Sequence, residues 1–261
     1  MKKRPHILIS NDDGIDASGL YVLAKSLKRF ADVSIVAPSI QQSAVGHAIT
    51  VRTPLRAHEF RHDGKLFGYA VDGTPADSVK LAIRSLIKSK PDLVVSGIND
   101  GLNTAVNVIY SGTVSAATEG TILGIPSIAV SIEYTQKPDF GPAAKIALSV
   151  ARFVYKYGMP KDTILNINVP AIPARRIKGI KFTRQGRSRW DDRFYLRKDP
   201  KNRDYYWLAG DMQVLDHDED IDQVALKSGY VSITPIHFDL THYRFLEKMR
   251  RDWDGKLSLK L

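Results

Sequence analysis

Cysteine is absent from this 261-residue chain. Its absence removes disulfides, thiolate metal sites and cysteine nucleophiles from consideration. Long apolar runs are missing too, and nothing approaches the length that spans a bilayer. After the opening Met-Lys-Lys-Arg-Pro-His, the apolar stretch before Asn11 is too short for the core of a secretory signal. A cytoplasmic protein without a membrane partner is therefore expected. Acids are missing from 171–190, which carries seven Lys and Arg, and the whole chain has a formal net charge of +10. Such a balance suits an anionic partner (a nucleotide, a phosphate ester or RNA), although a charge bias alone more often marks a solvated basic face.

Several phosphate signatures are also incomplete. Gly14 to Gly19 has the glycine spacing of a P-loop, but Leu20 and Tyr21 stand where Lys and Ser/Thr are required. No G-x-G-x-x-G follows the first apolar run, so the dinucleotide fingerprint is absent. In Ala70-Val71-Asp72-Gly73-Thr74, alanine occupies the nucleophile position of an aspartyl-phosphatase loop, so Asp72 reads as a turn residue. His58 and His62 lack a third ligand nearby in sequence and read as surface histidines.

What is present is an alternation of strands and helices. Ile7–Ile9 reads as a buried strand, and Ser18 as the cap of a helix burying Leu20, Leu23, Leu27 and Phe30. Val33–Ala37 completes a βαβ unit, which implies a parallel sheet and a right-handed crossover. A polar loop, 38–50, follows. Leu66–Val71 is strand-like and leads to a marked helix start, with Thr74 at N-cap, Pro75 at N1 and Asp77 at N3, burying Val79, Ile83 and Leu86. Leu93–Ser96, Ile125–Val130 and Ile164–Val169 are further strands. Between them lie a small-residue helix over Ser115–Gly120 and an amphipathic helix over Phe140–Tyr157, closed by Gly158. That second helix presents Ile146, Val150, Phe153, Val154 and Tyr157 on one face. The fold class is α/β, with a doubly wound, mostly parallel sheet over 1–170. Residues 171–261 form an extension rather than an independent domain. It is expected to hold irregular hairpins, a lone strand at 229–235 and a final helix over Thr241–Trp253, and to serve association or roof the site.

The first strand runs into Asn11-Asp12-Asp13-Gly14. This stretch alone leaves two readings open: a cation site at the tip of the strand, or a polar turn in which Asp13 or Asp16 caps the next helix. Other polar residues follow later strands at the same sheet edge. Ser43 lies in the loop after the second strand, and Asn99 and Asn103 follow the strand ending at Ser96. Carboxylate, hydroxyl and amide oxygens are hard donors that suit Mg²⁺ or Mn²⁺. Ser111-Gly112-Thr113 opens a helix, whose free N–H groups and dipole attract an anion. A divalent metal beside a phosphate cradle points to phosphoryl chemistry. His47 reads either as a leaving-group acid or as a brace for the Ser43 loop.

The segments SNDDGIDASGL, APSIQQSAVGHAIT, VDGTPADSVKLA, VSGINDGLN, YSGTVSAATEG, ILNINVP, FTRQGRSRW and GYVSITPI, in this order over about residues 5 to 240, resemble those of the SurE (stationary-phase survival) nucleotidases. The resemblance implies a Rossmann-like core and a C-terminal extension exchanged within homodimers or homotetramers. It implies metal-dependent hydrolysis of nucleoside 5′- and 3′-monophosphates, and of short polyphosphate in some members. Carried over, Asp12, Asp13, Ser43 and Asn99 would ligate one Mg²⁺ or Mn²⁺ per subunit. Asn103, Ser111, Gly112 and Thr113 would contact phosphate, and Asn11, Asp12 and Asp13 would be catalytic. Two places depart from the family pattern. Asp100 adds an acid after the motif asparagine, and Gly186 and Ser188 are expected to loosen the loop after Thr183-Arg184-Gln185. The tail beyond Asp254 has no counterpart. The alternative reading is a non-enzymatic binder that docks RNA or an acidic protein on basic segment 171–190, stacking bases on Phe182 and Trp190. The enzyme reading expects no stable nucleic-acid complex.

Overall fold

The computed structural model describes residues 4–254, so the tail discussed above lies outside the described residues. β1 (His6–Ser10) is central, with Ile7, Leu8 and Ile9 all at 0% exposure. Ile7 and Ile9 face one hydrophobic layer, built with α1 (Ser18–Leu27) and α5 (Gly141–Tyr157). Leu8 faces the other, with α2 (Pro75–Leu81) and α4 (Gly112–Ile122). A strand covered on both faces has no solvent side to mark with polar residues, which is why it reads as a continuous apolar run.

β2 (Asp32–Pro38), β4 (Lys65–Val71), β5 (Leu93–Asp100), β6 (Ser127–Ile132) and β7 (Thr163–Val169) continue the parallel sheet. Their order is β4-β2-β1-β5-β6-β7. This is the Rossmann order, with its reversal between β1 and β5. The β6–α5–β7 connection lies on the same face as β1–α1–β2 but moves across the sheet the other way, so the two have opposite hand. The α/β, doubly wound, Rossmann-like expectation therefore holds.

Particular elements differ from expectation. β3 (Ala57–His62) pairs antiparallel with β4, although the sequence shows no strand there. It is a polar edge strand carrying His58 and His62 on the surface, so it lacks the apolar alternation that announces a half-buried strand. Ser18 lies inside α1 rather than capping it. The cap position is Ala17, which makes no side-chain bond, and Asp16 supplies none either. In α5 the buried face is Ala143, Ala144, Ala147, Val150, Ala151 and Val154. Phe153 and Tyr157 instead pack on each other outside, with tilted rings whose centres are 4.6 Å apart. Close approach to α1 and the sheet favours small residues there, which a count of large apolar residues misses. The Thr74 start is as expected: Thr74 Oγ1 accepts from Asp77 N at 3.1 Å, and Asp77 Oδ2 accepts from Thr74 N at 3.0 Å. Val79 is buried, whereas Ile83 and Leu86 fall in a wider π-type turn and are half-buried.

The strand near 230 is not alone. β11 (Val231–His237) pairs antiparallel with β7, and β8 (Ile180–Phe182) pairs parallel with β11, so the extension lengthens the central sheet to nine strands. Nor is the hairpin irregular. β9 (Arg189–Lys198) and β10 (Asp204–Gln213) form a continuous ten-pair antiparallel ribbon apart from the main sheet. α6 (Asp222–Lys227) and α7 (Tyr243–Trp253) complete the described chain, and α7 buries none of its residues. Among the described residues, no helix is long and apolar enough to cross a membrane.

Candidate active site

In doubly wound sheets, ligands bind beyond the carboxyl ends of the strands, where the strand order reverses. Here that point lies between β1 and β5, and a cavity of about 880 Å³ opens there. Asp12, Asp13, Ser43, Asn99, Asn103 and Ser111 all line it. Residues from three strand ends and a helix start thus meet in one place, as the sequence reading expects.

Asp12 is 6% exposed and lies against the start of α4. The Thr113 hydroxyl donates to its Oδ1. Burial raises the Asp12 pKa, and hydrogen bonding from Thr113 and Gly112 offsets only part of that rise. Asp13 is half-buried, and its carboxyl is pushed up from 3.8 to about 6, by burial first and by the neighbouring Asp12 charge second. Two adjacent carboxylates, both pushed toward the neutral form, are short of positive charge.

Asn99 is aimed by an irregularity in β5. The β5–β6 register shifts between Ser96 and Asn99, where Gly97 adopts φ +132° and a β-carbon would stand 2.3 Å from Val130 O. Such a bulge re-aims the side chains that follow it. The Asn99 amide nitrogen donates to Gly101 O at 2.6 Å, which leaves Oδ1 free as an acceptor. Ser43 sits in a loop tied at several points. Gln42 N donates to Asp12 O at 2.7 Å and Gly46 N to Tyr110 O at 3.0 Å. Thr74 Oγ1 donates to Ala48 O at 2.7 Å. His47 Nε2 lies 3.0 Å from Glu119 Oε2, and Lys80 Nζ lies 3.0 Å from Glu119 Oε1. Glu119 is 2% exposed, and His47 does not line the cavity, so of its two readings the geometry takes the brace.

Asn103 and Ser111 also line the cavity. The Asn103 backbone is held by Asn166 and Asn168 of β7, at 2.8 to 3.1 Å, and its amide nitrogen donates to Ser131 Oγ at 2.8 Å. Ser111 caps α4, its hydroxyl accepting from Val114 N at 3.0 Å. Three of the sequence candidates stand behind the lining instead. Asn11 is 0% exposed and donates to Gly14 O at 2.8 Å, closing the turn below Asp12. Gly112 and Thr113 pack directly on Asp12.

The donor set fits a hard divalent cation. Two carboxylates short of positive charge, a hydroxyl and a free amide oxygen face one space, and all are oxygen. Among the described residues, no cluster of three or more His, Cys, Asp or Glu side chains is placed to hold a metal, so the neutral oxygens of Ser43 and Asn99 complete any such set.

Sequence reasoning did not single out Arg189, and it offered Trp190 only as a base-stacking residue of the RNA-binding alternative; both line the cavity with Leu208 and Gly210 of the β9–β10 ribbon. Trp190 Nε1 donates to Asn107 Oδ1, 3.1 Å away on α3 (Asn107–Tyr110). Nor did it find Asn166 and Asn168, although polar residues alternating in a strand otherwise apolar were a usable signal. Asp100 also lines the cavity, and its Oδ1 is buried without a partner. Gly186 and Ser188 are buried and bonded, so the loop they occupy is tied down rather than loosened.

A Rossmann-ordered sheet with an acidic, oxygen-lined cavity at its switch point, beside a helix N-terminus, places the chain in the class of Rossmann-like α/β proteins with a strand-end site. The profile of the family described as "Survival protein SurE" matches residues 7–192. The chain belongs to the SurE family. It is 47% identical over 258 residues to the 5′-nucleotidase SurE of Chlorobaculum tepidum, covering 99% of this chain and 98% of that one. It is 52% identical over 253 residues to the 5′-nucleotidase SurE of Syntrophus aciditrophicus, covering 97% and 95%. The crystal structure of the SurE protein from Aquifex aeolicus superposes with a TM-score of 0.83 at 41% identity, covering 95% of this chain and 99% of that one.

Proposed function

We propose that this protein is a divalent-metal-dependent phosphomonoesterase that hydrolyses nucleoside 5′- and 3′-monophosphates to nucleoside and phosphate, with short polyphosphate as a further substrate. The observation that carries it is the meeting of Asp12, Asp13, Ser43 and Asn99 in one cavity with the α4 N-terminus. The relatives named 5′-nucleotidase SurE, aligned over nearly the full chain, support the same reading.

Asp12, Asp13, Ser43 and Asn99 would hold one Mg²⁺ or Mn²⁺. When bound, such a cation supplies Lewis-acid stabilisation of the phosphoryl charge. The chain's own residues do the rest. Asn103 and Ser111 face the phosphate, and Gly112 and Thr113 supply the helix end behind Asp12, whose field favours developing negative charge. Asn11 holds the turn that presents both carboxylates. One of Asp12 and Asp13 would orient or deprotonate the attacking water. Arg189 brings a cation to the wall of the cavity. In this reading residues 1–170 carry the chemistry. Residues 171–261 roof it and join subunits into a homodimer or homotetramer, using the exposed ribbon residues Phe194, Tyr206 and Trp207.

The RNA-docking alternative loses part of its support. Arg184 is paired with Asp218 at 2.5 Å and Asp220 at 2.9 Å, so charge that is unbalanced along 171–190 is partly balanced in space. Phosphate release from AMP and a 3′-nucleotide, with and without EDTA, separates the two. The enzyme reading expects release that EDTA stops and Mn²⁺ or Mg²⁺ restores. Salt-sensitive polynucleotide binding, indifferent to chelator and without phosphate release, would overturn it.

A further inference from the structure

The loop leaving β5 between Gly101 and Val106 makes little secondary structure of its own. Its ends are met by backbone, Gly101 N donating to Ile132 O and Val106 N to Ser188 O, and the polar groups between them are met largely by side chains from elsewhere. Those of Asn103 are taken by β7, as described. Those of Ala105 are met mainly by the extension: Ala105 N donates to Asp222 Oδ2 at 2.8 Å, and Ala105 O accepts from Gln185 Nε2 at 2.8 Å, with a longer bond from Val108 N at 3.4 Å. Ala105 has φ +50°, a left-handed backbone that an L residue rarely adopts without outside constraint. It is 0% exposed, as is Asp222.

Asp222 does more than hold Ala105. Its Oδ1 accepts from Gly186 N at 3.2 Å and from Gln223 N at 2.8 Å. Gln223 in turn donates to Thr104 Oγ1 at 3.3 Å. A β-carbon at Gly186 would meet Asp222 Oδ1 at 3.0 Å and Ile221 Cγ2 at 3.1 Å, so glycine allows this approach. One buried carboxylate thus gathers N–H groups from the site loop, from the 184–188 loop and from its own helix.

We propose that Asp222 is a positioning residue: by clamping Ala105 it fixes the backbone of the loop that presents Asn103 to the substrate phosphate. The functional part rests on the phosphomonoesterase reading above, whereas the clamp itself does not. The carboxylate is required because all three of its neighbours are donors. Asparagine would turn an N–H₂ group toward at least one of them.

The test compares Asp222→Asn and Gln185→Ala, which attack the two polar groups of Ala105, with Ala225→Gly, which weakens the same helix without touching the clamp. Amide exchange over 101–107, the inhibition constant of inorganic phosphate, and KM against kcat for AMP are read at a temperature where circular dichroism shows each variant folded. Both clamp variants are expected to speed exchange over 101–107. They should weaken phosphate about tenfold, the lower end of the effect of removing one partner of a buried polar group, the Ala105 N–H in Asp222→Asn and the Ala105 carbonyl in Gln185→Ala. KM should rise with the phosphate inhibition constant. Ala225→Gly should lower Tm and leave the other readings unchanged. Parental exchange and phosphate inhibition in a folded Gln185→Ala protein would overturn the proposal, as would Ala225→Gly reproducing both effects. If Asp222→Asn does not fold, Gln185→Ala decides. If the parent itself releases no phosphate from nucleotides, the phosphomonoesterase reading fails, and the exchange measurement still decides the clamp.

Discussion

Gly112 and Asp12 stand too close for a side chain between them. A β-carbon at position 112 would lie 2.7 Å from Asp12 Cβ and 2.8 Å from its Oδ2. The start of α4 and the end of β1 are therefore fitted to each other through a missing methyl group. Gly112→Ala is expected to keep the fold, since alanine suits a helix, but to push Asp12 out of place. Calorimetric titration with Mn²⁺ should show affinity falling at least about tenfold, and phosphate release should fall with it. Parental Mn²⁺ affinity in the variant would refute this.

Asp13 carries a pH signature. Its folded-state pKa, about 6, lies above its ordinary 3.8, so the folded protein takes up this proton before the unfolded chain does as pH falls. In chelated protein the charged group therefore costs stability above about pH 6, and the cost is relieved between pH 6 and pH 4. Asp13→Asn in EDTA should melt higher than the parent at pH 8, with the difference closing toward pH 4. The same substitution should abolish turnover, and Asp13→Ala should as well, while the fold survives. Wild-type-like phosphate release from either variant in Mg²⁺ or Mn²⁺ would count against the site.

His47 is predicted to shape the Ser43 loop without exchanging a proton with substrate. It faces Glu119, itself held by Lys80. His47→Ala should lower kcat/KM through the loosened loop and leave the limbs of the pH–rate profile where they were. Loss of the alkaline limb would restore the acid role.

Asp77 joins the same loop to α2. It is 2% exposed and accepts from Thr50 N, Thr50 Oγ1 and Thr74 N at 2.7 to 3.0 Å. Burial raises its pKa, but these bonds outweigh burial and leave it below 3.8. A depressed carboxyl contributes stability at neutral pH that is lost as pH falls below its ordinary value. Asp77→Ala should cost about 2 kcal/mol in urea unfolding at pH 7, from the lost cap and charged hydrogen bonds. An unchanged urea midpoint would refute the assignment.

The β9–β10 ribbon should be an association element. Phe194 pairs with Leu208 on one face and Tyr195 with Trp207 on the other, and all four are exposed. A two-stranded ribbon apolar on both faces is marginal alone in water. The parent should sediment as more than a monomer at micromolar concentration. Phe194→Ser with Trp207→Ser should shift it toward monomer. A parent that sediments only as monomer would refute this role.

Much of this was legible beforehand because buried parallel strands and capped helices leave local marks. Ile7–Ile9, Leu93–Ser96 and the Thr74–Asp77 box each state their structure within a few residues. What was misread depends on distant surroundings. β3 is polar because it lies at an edge. The buried face of α5 is alanine because α1 comes close. Asp222, 117 residues from Ala105, leaves no local trace of the bond between them. Within the basic run 171–190, Arg184 looks unpaired in sequence, yet Asp218 and Asp220 fold back onto it.

The sequence alone determined the alternation of elements and the exclusion of thiol chemistry, while its eight ordered segments gave the resemblance to SurE proteins that proposes Asp12, Asp13, Ser43 and Asn99 as ligands. The first two follow from side-chain chemistry and short-range periodicity, and the last from short segments in a fixed order, all of which a linear reading can see. Only the tertiary structure decided that Asn11 and Thr113 stand behind the lining, that His47 braces a loop, and that the extension clamps the loop carrying Asn103. Each of these depends on where a side chain points and on which distant group meets it. Packing settles both once the sheet has brought its strand ends together.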